Sequence, residues 1–330
     1  MMNAPLTFGD YARGRDLDEM TVRPGWDKRS PAGDGSPDPA PDPDDEAMAA
    51  GDWEGQVEES ELPKVVSLCD TTGTMVKPWL DSGKYECWLV DLENGSGYRR
   101  EDKNLVIYGG DVRTFRMPRN VYMAFAFPPC TDLASSGSRW WQAKDQRNAE
   151  AGKNPAIWEA NDLVIECWDR IRKADRYMLE NPVGRLPRAF RPWDVAFHPY
   201  EFGGYLPEDD APVVQLPSGR QICFVPRDQY TKRTCIWVGG NFQLPEMAAL
   251  PKPKGSYMHA TFGGKGDDTK YARSMTPRGF SIAVFMANDK AVKPVRNKKV
   301  AVYDGPAVAP RKPAVLGAKE REEAGRRYES

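Results

Sequence analysis

Five short apolar runs in this sequence each close on a polar or nucleophilic side chain. They are VVSLCD (Val65 to Asp70), YECWLVDLE (Tyr85 to Glu93), NLVIYGGDV (Asn104 to Val112), VYMAFAFPPC (Val121 to Cys130) and RYMLENP (Arg176 to Pro182). Continuous apolar runs of this length read as strands buried on both faces. Between the last two lies PAIWEANDLVIECWDRIRKA (Pro155 to Ala174), in which Leu163, Cys167, Trp168 and Ile171 share one helix face. Buried strands alternating with helices predict an α/β fold built on a doubly wound, mostly parallel, Rossmann-like sheet. Such a sheet binds its ligands at the carboxyl ends of the strands, where Asp70, Asp91, Asp111, Cys130 and Glu180 stand. Any one of these would pass as a turn former or a helix cap. Their recurrence at five successive strand ends points to a site.

The first half of that site reads as a nucleoside pocket. Asp91 follows the first turn by about twenty residues, the spacing at which an acid accepts hydrogen bonds from ribose hydroxyls, and Gly73 lets the backbone approach a ligand closely. Neither GxGxxG nor GxxxxGK[ST] occurs in the chain, which disfavours a dinucleotide or ATP. S-adenosylmethionine, a nucleoside without phosphates, fits this pattern better.

The net charge of −2 conceals an asymmetry. Residues 1 to 62 hold 16 acidic side chains against 5 basic ones, leaving 41 basic against 32 acidic for the remainder. The acidic arm, with its Pro-Asp repeats, is too poor in apolar residues to offset its ordering entropy and is expected to be disordered. Residues 63 to 299 are expected to form the catalytic body, and the Pro/Ala-rich and then charged stretch 300 to 330 a tail. A basic body suits a polyanion such as DNA, though a solvated surface with a modest positive excess accounts for the charge equally well. No apolar stretch is long enough to span a membrane and no secretory signal is seen, so the chain is expected in the cytoplasm. The six cysteines and two histidines show no metal-ligand spacing. Cys69, Cys87, Cys167 and Cys235 lie inside apolar runs and are expected in the core.

The order of these motifs resembles the cytosine-5 DNA methyltransferase family, particularly its compact, divergent bacteriophage members, over roughly residues 64 to 290. VSLCDTTGT (Val66 to Thr74) stands at the family's cofactor loop, VDLE (Val90 to Glu93) at its ribose-binding acid and GGDV (Gly109 to Val112) at its adenine contact. FPPCTDLASSG (Phe127 to Gly137) matches the nucleophile loop and is the most specific of the set. ENP (Glu180 to Pro182) takes the place of ENV, YTKRTCIWVGG (Tyr230 to Gly240) that of the QxRxRxxxVG strand, and SMTPRGFSIAV (Ser274 to Val284) that of the segment closing the cofactor pocket. The resemblance implies transfer of a methyl group from S-adenosylmethionine to carbon 5 of cytosine in DNA. It implies cofactor contacts from Asp70, Thr71, Thr72, Gly73, Thr74, Asp91, Leu92, Asp111, Val112, Pro129 and Ser281, and catalytic roles for Cys130, Glu180 and Arg233.

The chemistry asks for these residue types. Carbon 5 of a pyrimidine is too weak a nucleophile to take a methyl group directly, so a thiolate, here Cys130, adds to carbon 6 and generates an enamine. Glu180, kept partly protonated by burial, would serve ring nitrogen 3. Arg233 or Lys232 would hold the base carbonyl or nearby phosphates. A stacked base cannot reach Cys130, so the target is flipped out or single-stranded. The chain departs from the family pattern at Pro182, at Thr131 after the nucleophile, at Phe280, and in the QxRxR strand, where Tyr230, Lys232 and Thr234 fall on the three motif positions. Residues 241 to 273 remain as a small target-recognition segment. Trp140 and Trp141 with Arg139 either close on the flipped base or pack on the sheet, and His198 reads as a loop histidine. Two alternatives stay open: a weak or inactive DNA-binding or protective module on the same fold, and a related carbon-5 modification with another donor or substrate. No obligate protein partner is evident.

Overall fold

The computed structural model describes residue 57 and residues 60–151, 156–264 and 266–289. The expectations for the acidic arm, apart from its last few residues, and for the tail lie outside them.

The first apolar run forms β1 (Lys64–Leu68), buried at every position. A loop and the short α1 (Lys77–Asp81), opened by Pro78 in its first turn, lead into β2 (Glu86–Asp91). β3 (Gly97–Asp102) and β4 (Leu105–Gly109) form an antiparallel pair, and β5 (Val121–Ala126) ends just before the Pro-Pro-Cys loop. Next come α2 (Trp141–Glu150), α3 (Ala156–Ile171), β6 (Arg176–Pro182), α4 (Leu186–Ala189) and β7 (Val195–Phe197). A small hairpin, β8 (Val213–Gln215) with β9 (Gln221–Cys223), precedes β10 (Thr234–Gly240), and α5 (Tyr257–Thr261), α6 (Asp267–Ser274) and α7 (Arg278–Asn288) finish the described chain.

The eight main strands run in the order β3-β4-β2-β1-β5-β6-β10-β7. β1 pairs in parallel with both β2 and β5, and parallel pairing continues outward to β4 on one side and β6 on the other. β10 is antiparallel to both β6 and β7. The winding direction therefore reverses between β1 and β5. This is the doubly wound, mostly parallel α/β sheet expected from the sequence, with its ligand crevice at the switch point. One apolar layer packs under α3, with Trp88, Trp168 and Trp237 fully buried, and the other under α1 and α7, around Trp79, Phe125 and Phe280.

Two elements escape the sequence reading. β3, GYRRED, is mostly exposed and charged, and an edge strand of that composition resists pairing with other chains. The β8-β9 hairpin belongs to a third, satellite core in which Leu216, Phe224 and Tyr230 pack with Met258, Phe262 and Ala272. That satellite draws on chain well before residue 241, so the unit around the expected recognition segment is wider than 241 to 273. A buried ionic cluster ties it to the sheet. Arg278, at the start of α7, donates to Asp210 from Nη1 at 2.7 Å and Nη2 at 2.8 Å, and to Asp228 from Nε at 3.1 Å and Nη2 at 2.9 Å. Cys87, Cys167 and Cys235 are buried as expected, whereas Cys69 is only partly so, because the chain turns there with φ 55°.

Candidate active site

The loop after β1 is built by Asp70. Its Oδ1 accepts from the backbone N–H groups of Gly73 (2.8 Å) and Thr72 (3.1 Å) and from the Thr72 hydroxyl (3.1 Å), while Oδ2 accepts from Ser67 Oγ (2.8 Å). Burial raises its pKa, opposed by these bonds. Asp70, expected to contact the ligand, instead spends its carboxylate on its own loop. The turn needs Gly73, whose φ is 63°, and it leaves Thr71, Thr72 and Thr74 partly exposed at the strand ends.

Asp91 closes β2 beside this loop. Its Oδ1 accepts from Glu93 N at 2.9 Å. Burial pushes its pKa up to about 6, with the Thr71 side chain hydrogen-bonded to it and working the other way. Leu92, the next residue, is 69% exposed, an apolar face held out beside an acid. Asp111 accepts from Arg113 N (2.8 Å) and Arg113 Nη1 (3.0 Å), so it caps its own turn. Both Asp91 and Asp111 act electrostatically on Cys69, which brings the ends of β1, β2 and β4 into one neighbourhood.

Two of the residues expected at the cofactor have buried side chains. The Val112 side chain is buried in the core beneath the loop. Ser281 is buried on α7 and donates to Arg278 O at 2.8 Å, because a hydroxyl in a helix satisfies itself on the preceding turn. Motif position located both residues, but not the direction of their side chains.

The other half of the crevice lies at the ends of β5, β6 and β10. The Pro-Pro-Cys loop is stitched to the chain after β6. Asn181 Nδ2 donates to Pro128 O (2.9 Å), Ser135 N to Val183 O (2.8 Å) and Arg185 N to Leu133 O (2.8 Å). A Cβ on Gly184 would lie 1.7 Å from Leu133 O, so only glycine permits this approach. Pro129 and Cys130 are exposed at the loop tip. Packed atoms around the thiol raise its pKa and so does the charge of Glu180, while Lys232 and Arg273 lower it. Glu180 is raised by burial, again opposed by Lys232, and its Oε1 is buried with no hydrogen-bond partner.

Lys232 is therefore the cation acting on both reactive groups. Its Nζ donates to Met275 O at 3.4 Å. Arg233, expected as a catalytic residue, is exposed. It precedes Thr234, which pairs with Phe197, and its charge acts on His198 and Cys235. Tyr230 and Thr234 are buried and Lys232 partly so, whereas Arg233 is exposed.

α6 spans the two halves. Tyr271 lies within electrostatic range of Asp70, and Arg273 within range of Cys130. Of the tryptophans after the nucleophile loop, Trp140 is 47% exposed under the Arg139 guanidinium, whereas Trp141 carries Arg185 over its ring at 4.0 Å. His198 N donates to Glu201 Oε2 at 2.7 Å, and its ring stacks with Tyr200.

No family model and no curated protein matches this chain. Among solved structures, a DhpI-SAM-HEP complex is similar with a TM-score of 0.22 and 15% identity, covering 58% of this chain and 70% of that one. A variant of the 16S rRNA (adenine(1408)-N(1))-methyltransferase from Catenulisporales acidiphilia is similar with a TM-score of 0.22 and 11% identity, covering 65% and 95%. Neither likeness identifies a family, and the fold stands on its own strand order. No helix among the described residues is long and apolar enough to cross a membrane.

Proposed function

We propose that this chain methylates carbon 5 of cytosine in DNA, with S-adenosylmethionine as the donor and Cys130 as a covalent nucleophile. The observation that carries the reading is the junction of β5, β6 and β10. There an exposed cysteine and a buried carboxyl group with an unpartnered oxygen share one cation, and the loop holding the first is stitched to the strand holding the second. The resemblance of FPPC and ENP to the nucleophile loop and acid of the cytosine-5 enzymes supports the same assignment.

The ends of β1, β2 and β4 fit the donor. The Asp91 carboxylate suits a ribose diol, the exposed Leu92 an adenine face, and the Asp70-anchored loop a close backbone approach; no phosphate-binding motif competes. When bound, the cofactor supplies an electrophilic methyl group.

Cys130, as the thiolate, adds to carbon 6 of a flipped cytosine. Glu180 holds a proton at ring nitrogen 3, drawing electron density from carbon 6 as the carbon–sulfur bond forms. The two roles support each other. Glu180 raises the Cys130 pKa by its charge, so the proton it carries for nitrogen 3 also removes the repulsion that disfavours the thiolate. Lys232 stabilises the thiolate by direct attraction. Loss of the proton from carbon 5 then releases Cys130. The satellite unit, with α6 reaching over both halves, is the part we assign to target recognition.

The direct test is mass spectrometry of nucleosides from the DNA of cells expressing the chain. 5-Methylcytosine is expected with the wild type and absent with Cys130→Ser. Unmodified cytosine in both, from soluble folded protein, would overturn the reading.

A further inference from the structure

Most basic side chains with described partners in this protein are neutralised locally. Arg100 pairs with buried Glu86, Arg191 with Asp194, and Arg278 with Asp210 and Asp228. Several described basic side chains have no ion-pair partner, and three of them gather on one rim. Just before β10, Arg233 is exposed, and the segment 250–255 runs beside the residues leading to it. Leu250 N donates to Tyr200 O (2.9 Å), Gln229 Nε2 to Pro251 O (3.0 Å) and Thr231 Oγ1 to Gly255 O (3.3 Å). These three bonds hold exposed Lys252 and Lys254 alongside the residues leading to Arg233. Among the described residues, Arg233, Lys252 and Lys254 have no ion-pair partner. The neighbouring acid is Glu201, whose Oε2 already accepts from His198 N. Burial and the charges of Arg233 and Lys252 depress the His198 pKa against the pull of Glu201, as expected where cations crowd one place.

Cations that outnumber the neighbouring acid repel one another, and a polyanion relieves that repulsion. The rim also adjoins the crevice. Thr234, next to Arg233, pairs with Pro182 of the ENP strand, and Lys232 acts on Cys130 and Glu180. We propose that Arg233, Lys252 and Lys254 form a phosphate-gripping rim that holds the nucleic-acid backbone next to the nucleotide delivered to Cys130. The inference rests on the nucleic-acid substrate proposed above and adds the residues that anchor it. In this arrangement Lys232 acts on the reacting groups while Arg233 grips the backbone beside them.

The test is fluorescence anisotropy of labelled duplex DNA, and of an RNA duplex of matched sequence, with the full-length protein over a range of salt concentrations. Each phosphate contact contributes about 0.9 to the slope of log K against log salt on B-form DNA, so Arg233→Gln/Lys252→Gln should lower that slope by about 2 and weaken binding on the order of 10-fold or more. Arg233→Lys/Lys252→Arg should keep the slope. Cofactor affinity by calorimetry and the melting temperature should match wild type in both pairs, which separates lost contacts from lost structure. A Gln pair that binds with the wild-type slope and affinity would overturn the rim while leaving the nucleic-acid reading intact. Wild-type protein that binds neither duplex, nor their separated strands, would overturn both. Binding of RNA alone, with the slope lowered in the Gln pair, would support the rim and contradict DNA as the substrate.

Discussion

The two halves of the crevice use acidic side chains in opposite ways. At the ends of β1 and β4, Asp70 and Asp111 are satisfied by their own loops, Asp70 by four donors and Asp111 by the backbone and side chain of Arg113. At the end of β6, Glu180 keeps a buried oxygen without a partner. A satisfied carboxylate builds a surface for a ligand, whereas an unsatisfied one retains the capacity to react and destabilises the fold to a degree that substrate binding can offset. Asp91 stands between these cases, bonded to Glu93 N yet raised to about 6 by burial.

The largest effect should come from the unsatisfied side. Glu180→Gln cannot move a proton to or from ring nitrogen 3, so methyl transfer should fall on the order of 10² to 10⁴ while the melting temperature holds or rises. A comparable loss accompanied by early melting would mean that Glu180 is structural, like Asp70.

Asp91→Asn separates binding from stability. Cofactor affinity, measured by calorimetry, should fall about 10- to 100-fold as the ribose hydroxyls lose a charged acceptor. The apo fold should gain stability. The Asp91 pKa moves from 3.8 to about 6 on folding, so between those values the unfolded chain binds fewer protons and stability drops as pH rises. The full cost is present above pH 6 and is lost below 3.8. Removing the charge should raise stability at neutral pH by about 1 to 2 kcal/mol. Equal melting of variant and wild type across that pH range would contradict the burial of this group. Asp70→Ala should do the reverse, costing about 1 to 3 kcal/mol in denaturant unfolding because Gly73 and Thr72 lose their acceptor.

The smallest effect concerns pH. Transfer needs protonated Glu180 together with the Cys130 thiolate, so the rate should be bell-shaped, with limbs belonging to the coupled pair. Lys232 lowers both pKa values. Lys232→Gln should therefore move both limbs to higher pH, whereas Arg233→Gln should leave them in place. Equal displacement in the two variants would remove the distinction between the two cations.

How much of this was legible in the sequence follows from the range of the forces involved. Burial on both faces leaves a mark in every residue of a strand, so β1, β2, β4, β5 and β6 and the polar groups ending them could be read directly. β3 could not, because its charged residues carry no apolar period. The Arg278 cluster was invisible because Asp210 and Asp228 lie 68 and 50 residues away in the chain and meet it only in the folded state. The burial of the Val112 and Ser281 side chains was not readable because a motif fixes position along the chain, while direction depends on how a turn or helix packs.

The covalent step tests the account most directly. Fluorine at carbon 5 cannot leave as a proton, so DNA carrying 5-fluorocytosine, with S-adenosylmethionine present, should trap the protein as a stable adduct. Its mass should equal the sum of protein and oligonucleotide plus one methyl group less the thiol proton, and peptide mapping should place the link at Cys130. Cys130→Ser should form none while binding DNA and cofactor like wild type. A wild-type protein that binds both yet yields no adduct across varied flanking sequences, single- or double-stranded, would contradict the account.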